Sequence, residues 1–125
     1  NAVATAVIEV SDDDAVDLAT AVHGSGPAYI YLVIEAMIDA GVHLGFSRRL
    51  AHELVVQTML GSALFADQTG KHPAELRNMV TSPGGTTAAA LYEMEKGALR
   101  TVLSKAVYAA YRRTVELSQG IANHD

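Results

Sequence analysis

The stretch Ser25-Gly26-Pro27-Ala28-Tyr29-Ile30-Tyr31-Leu32-Val33-Ile34-Glu35-Ala36-Met37-Ile38-Asp39-Ala40-Gly41-Val42-His43-Leu44 decides the fold. Pro27 stands near a first helical turn, where its missing N–H costs nothing, and Gly45 supplies a stop, so the spacing predicts one helix through about Leu44. Ile30, Leu32, Val33, Ile34, Met37 and Ile38 cover more than one face of that helix. A helix apolar nearly all round is buried on several sides. A chain of 125 residues has few helices of its own to do the burying, so the pattern implies a partner subunit.

Outward from this helix the 3.6-residue period persists. Ser47 is a good N-cap for a helix from Arg48 to about Asp67, carrying Leu50, Leu54, Met59, Leu60, Ala63 and Leu64, and Gly70 ends it. His72-Pro73-Ala74-Glu75 starts a short helix to about Val80, which Ser82-Pro83-Gly84-Gly85 breaks. Thr86 or Thr87 is predicted to cap the next helix, which ends near Lys96-Gly97. Leu99, Val102, Leu103, Ala106, Val107, Ala110 and Tyr111 form the cleanest ladder in the chain, predicting a last helix through the centre of the core and a frayed tail from Ser118. Upstream, Asn1 to Val10 is rich in β-branched residues and reads as extended, an orphan strand that needs a partner elsewhere. Ser11 to Asp14 then offers side chains to the free N–H groups of a short helix to about Ala19. The fold class predicted is therefore all-α, a helical bundle that interlocks with a second copy, preceded by one short N-terminal extended segment.

Composition narrows the functional classes. Fourteen acidic against nine basic residues give a net charge of −5, and without a clustered basic face the chain is not expected to bind nucleic acid. With no Cys, thiol nucleophiles, disulfides and Cys-ligated metals are excluded. Half the residues are hydrophobic, which excludes a disordered acidic chain. The strongly apolar run from Ala28 is closed by Glu35, short of the about 18 residues of a membrane span, so no membrane association is expected. The five histidines show no i, i+4 pairing, and no metal site is predicted. Glu35 and Asp39 share a helix face, as a solvated stripe or interhelical pair does.

The stretch richest in chemistry is Thr81-Ser82-Pro83-Gly84-Gly85-Thr86-Thr87. Adjacent glycines let the backbone approach a ligand, the following helix start presents unpaired N–H groups, and three hydroxyls can donate to a carboxylate. The same residues also suit an ordinary helix–loop–helix turn, and both readings stand on local physics. No Lys or Arg lies within the loop, which suits a small carboxylate better than a phosphate. His23-Gly24-Ser25-Gly26-Pro27-Ala28-Tyr29 superficially matches a dinucleotide fingerprint, but Tyr29 occupies the third glycine position and no βαβ unit surrounds it. Thr20, just upstream, reads locally as a residue that hydrogen-bonds its own backbone.

Taken together, Ala19 to Tyr29 with its GSGPAY turn, Glu35-Ala36, Asp39-Ala40-Gly41-Val42, His72-Pro73-Ala74-Glu75-Leu76-Arg77 and Thr81 to Thr87 resemble pyrroline-5-carboxylate reductase, from about Asp14 to about Ser118. The resemblance is to that family's C-terminal helical domain. It implies that 1–12 is an extended connector from an N-terminal Rossmann domain that this chain lacks, and that 13–125 is the dimerisation and substrate-binding domain. It further implies the last step of proline biosynthesis, hydride transfer from NADPH or NADH to the C=N carbon of 1-pyrroline-5-carboxylate, in a cytoplasmic homodimer of a family that often builds larger rings. The cofactor would be bound mainly by the absent domain, leaving the fragment alone inactive. Ser82, Gly84, Gly85, Thr86 and Thr87 match the loop that holds the substrate carboxylate, and Thr20 matches a threonine placed against the substrate nitrogen. His23 stands where many members carry Ser. The competing expectation is a purely structural helical oligomerisation module with no ligand site.

Overall fold

The computed structural model describes residues 12–123, and among them every regular element is helical. The expected N-terminal extended segment lies outside the described residues except for Asp12, whose extended backbone and carboxylate cap the first helix by accepting from the Ala15 N–H. That helix, α1, spans Asp13–Ala19 and runs directly into a π-helical turn, Thr20–Gly24. Then follow α2 (Gly26–Leu44), α3 (Arg48–Thr69), α4 (Pro73–Met79), α5 (Thr86–Lys96) and α6 (Leu99–Asn123).

The stops are the expected glycines. Gly45, at φ +123°, closes α2 with its N–H on the Val42 carbonyl and the Phe46 N–H on the Gly41 carbonyl, the paired bonds of a Schellman ending. Ser47 caps α3 by accepting from the Leu50 N–H, and Gly70 ends it in the left-handed region. At α5 the cap differs from expectation. Gly85 occupies the N-cap position with no side-chain hydrogen bond, and Thr86 is already the first helical residue. The turn before it leaves Gly85 extended, so the helix starts one residue earlier than a threonine cap would allow.

The chain divides into two compact units. One holds Tyr29–Arg100, whose buried core joins α2 to α3: Ile38, Ala51 and Val55, with Ile34, Val42 and Met59 packed against them. Gly41 lets the two helices meet here, since a Cβ on it would lie 3.1 Å from the Ala51 Cβ. The other unit comprises the described residues up to Ala28 together with those from Thr101. In it Ala21 is the only buried hydrophobic residue described. Leu18, Ala21 and Val22 face Val107, Tyr108 and Tyr111 of α6 across an open groove of about 330 Å³.

Three sequence expectations change. The last helix does not form the centre of this chain's core: no described α6 residue is buried, and Val102 and Tyr108 are 57% and 61% exposed. A clean apolar ladder says that a face needs cover, not that the same chain supplies it. Nor does α6 fray from Ser118, because its helical backbone continues to Asn123. The apolar run is also longer than its closure at Glu35 suggested. From Asp14 to Leu44 the chain is helical but for the bend at Ser25, and an 18-residue window of this run is apolar enough to cross a membrane by length and composition alone, a test that a core helix also passes. A window average tolerates two charges where a count of uninterrupted apolar residues does not.

Candidate functional site

The loop between α4 and α5 is built as a tight turn. Gly85 donates its N–H to the Ser82 carbonyl at 3.1 Å, with Pro83 and then Gly84 (φ +71°) between them. Proline second and a positive-φ glycine third are the requirements of a type II turn. The loop is anchored upstream, where Thr81 Oγ1 donates to the Arg77 carbonyl at 2.6 Å. Downstream the turn delivers Gly85 to the N-cap of α5, and the serine hydroxyl lies over it. A Cβ on Gly85 would fall 2.5 Å from Ser82 Oγ.

This arrangement suits an anion. With no side chain capping α5, the N–H groups of its first turn stay available, and the partial positive charge of the helix end adds to them. Ser82 and Thr86 are exposed and Thr87 is half-buried, so their hydroxyls border the same helix start. Gly84, Gly85, Ser82, Thr86 and Thr87 are thus brought together in one unit.

Thr20 falls in the other unit. It opens the π-helical turn, accepting from the Ser25 N–H on its carbonyl at 2.8 Å. Its hydroxyl donates to the Val16 carbonyl at 2.9 Å, as its local reading predicted, and keeps oxygen lone pairs for a further partner. Gly24 packs beside it, since a Cβ there would lie 3.4 Å from Thr20 Cγ2. Widened π turns inside helices are common at functional sites. The signal that announces this one in sequence is the Gly24-Ser25-Gly26 cluster, which marks a break without specifying its hydrogen-bond pattern.

A charged corner joins the end of α5 to α6, and sequence spacing missed it. Arg100 Nε donates to both carboxylate oxygens of Glu95 at 2.9 Å, across Gly97 and Ala98. A separation of five residues is not a helical pair spacing, so only the corner makes it possible. The hydrogen bond from Arg100 holds the Glu95 carboxyl below its usual range, partly offset by desolvation and reinforced by the charges of Arg100 and Arg77. The same pair raises Arg100. Among the described residues no group of three or more His, Asp or Glu converges as metal ligands would.

The model for pyrroline-5-carboxylate reductase dimerisation matches residues 13–117. This chain belongs to that family. The Arabidopsis thaliana pyrroline-5-carboxylate reductase is 52% identical over 109 residues, which is 87% of this chain and 40% of the relative. The Synechocystis reductase is 47% identical over 113 residues, 90% of this chain and 42% of its own length. Among solved structures, the Plasmodium falciparum pyrroline carboxylate reductase with NADP bound matches with a TM-score of 0.83 at 41% identity, over 86% of this chain and 41% of that one. A Coxiella burnetii reductase matches equally at 0.83, with 44% identity, over 86% of this chain and 40% of that one. The chain spans about two-fifths of the length of these reductases.

The residues present do not fit a dinucleotide. Among the described residues no strand occurs and none forms the βαβ frame of a dinucleotide site, and the glycines near His23 belong to or follow a π turn leading into α2.

Proposed function

We propose that this chain is the dimerisation and substrate-carboxylate-binding part of a cytoplasmic pyrroline-5-carboxylate reductase, which reduces 1-pyrroline-5-carboxylate to L-proline. The observation that carries the reading is the uncapped start of α5 beneath the Ser82–Gly85 turn, found in a chain whose family match runs through it. In this reading Ser82, Thr86 and Thr87 donate hydroxyls to the substrate carboxylate, and Gly84 and Gly85 bring backbone N–H groups within reach. Thr20 hydrogen-bonds the ring nitrogen. NADPH or NADH supplies the hydride, held mainly by the part of such reductases that this chain does not span. A protonated C=N bond is already electrophilic, so the protein's contribution is positioning and charge complementarity more than acid–base work. In this reading the residues of this chain bind the substrate and assemble the dimer.

A homodimer, as the unit of larger rings, is supported by surface left uncovered in one copy. Tyr31 and Leu32 of α2 are 68% and 65% exposed, so the helix that is apolar all round has cover on one side only. In this reading the apolar run from Asp14 to Leu44 meets a second copy rather than lipid.

Two measurements on the purified chain test this. Light scattering at micromolar concentration is expected to give twice the chain mass, and a monodisperse monomer defeats the dimer. Calorimetric titration with a cyclic amino-acid carboxylate is expected to show weak binding that Ser82→Ala combined with Thr87→Val abolishes. Unchanged binding in that double variant removes the site assignment and leaves a structural module.

A further inference from the structure

A cleft of about 200 Å³ lies at the far end of α5, lined by Arg77, Leu91, Met94, Glu95, Leu99 and Arg100. It draws on α4, α5 and the first turn of α6 within one unit. Glu95 is nine residues past Thr86, roughly 13 Å along the helix, so the Glu95–Arg100 pair stands at the opposite end of α5 from the α4–α5 loop, while Arg77 borders the cleft from α4.

The donors in this cleft are underused. Arg100 serves both oxygens of Glu95 through Nε alone, and its two terminal nitrogens make no hydrogen bond among the described residues. The guanidinium of half-buried Arg77 makes none either, although its charge is felt at Glu95. Two guanidinium groups against one carboxylate leave a single positive charge beside an aliphatic wall of Leu91, Met94 and Leu99.

We propose that this cleft binds a small organic monocarboxylate, bridged by Arg77 and Arg100, with its aliphatic portion against Leu91, Met94 and Leu99. The charge decides the class. A monocarboxylate neutralises the excess, whereas a phosphate dianion would leave a net negative charge beside Glu95. The aliphatic wall likewise favours an organic acid over a hydrated inorganic ion. Arginine's planar fork matches a carboxylate with two parallel N–H donors, and Arg77 has its whole fork to offer. A cleft this small, below the usual range of drug-sized pockets, admits a ligand of only a few carbons.

The test is an NMR titration of the 125-residue chain with isovalerate, with isovaleramide as the uncharged isostere and inorganic phosphate as competitor. Saturable shifts are expected at the Met94 methyl and the Arg100 Nε–H, with the amide at least about tenfold weaker and phosphate failing to compete. Arg77→Gln and Arg100→Gln should each weaken isovalerate at least about tenfold. Arg77→Lys, which keeps the charge and the fold but loses the fork, should weaken it measurably. Ser82→Ala should leave it unchanged, which separates this cleft from the substrate loop whatever the fate of that assignment. Absence of saturation by about 50 mM, equal response to the amide, competition by phosphate, or indifference to both Arg77 variants overturns the proposal.

Discussion

Replacing Gly85 by alanine should weaken ligand binding by roughly 10- to 150-fold while leaving the fold almost intact. The backbone there, φ −84° and ψ −179°, is open to any L-residue, so alanine introduces no torsional strain. Its Cβ, however, would stand 2.5 Å from Ser82 Oγ and 3.3 Å from the Ser82 carbonyl oxygen. The second contact needs a shift of a few tenths of an ångström, but the first cannot persist, and the hydroxyl must rotate away. Losing glycine at an N-cap costs about 0.5–1 kcal/mol of stability. Losing a hydroxyl donor to a carboxylate costs about 1.5–3 kcal/mol of binding, or roughly 10- to 150-fold in Kd. Gly84→Ala is the contrasting variant: at φ +71° the added Cβ costs about 1–2 kcal/mol of stability through the backbone itself. Denaturant midpoints and calorimetric Kd values for a cyclic amino-acid carboxylate, measured on both variants, separate the two effects. If Gly85→Ala binds within about threefold of the parent, the serine hydroxyl over the helix start is not part of the site.

Three further outcomes follow from the packing and charges. Ile38→Ala removes a buried side chain from the small α2–α3 core and should cost about 2–4 kcal/mol in denaturant unfolding; a loss under about 1 kcal/mol would mean that the core lies elsewhere. Ala98, at φ +60°, is the one non-glycine residue described with positive φ. Ala98→Gly should therefore raise stability by about 0.5–1 kcal/mol after glycine's entropic cost, and a fall in melting temperature would contradict the strain. Glu95 is held below its usual range by Arg100, so the pair's contribution is present above the unfolded carboxylate range and lost as pH falls through the folded value. A ¹³C titration should find the Glu95 midpoint moved up in Arg100→Gln, and an unmoved midpoint would dissolve the pair. Because both side chains are mostly exposed, melting temperature should barely respond.

Helix order was legible because its signals are local. Pro27, Ser47, Gly45 and Gly70 act on the residues beside them, and each stands at the boundary it announced. The family, too, was legible, since the GSGPAY and SPGGTT segments are written in contiguous residues. The cap of α5 was misread for a related reason. Ser/Thr preference at N-caps is a tendency among isolated helices, and here the preceding turn overrode it by making Gly85 the extended residue.

By itself the sequence determined that the chain is helical, where its helices start and stop, and that more apolar surface exists than one copy buries. Tertiary structure decided what meets what. Only the folded chain sets Ser82 Oγ over Gly85, spends the Thr20 proton on Val16, and brings Arg77 toward the Glu95–Arg100 pair. It also moved the described core from α6 to the α2–α3 contact. The physical reason is that periodicity records which face of a helix must leave water, and burial is indifferent to the identity of the neighbour. Which neighbour does the covering depends on turns, close approaches such as Gly41 against Ala51, and a second copy, none of which a single helix encodes.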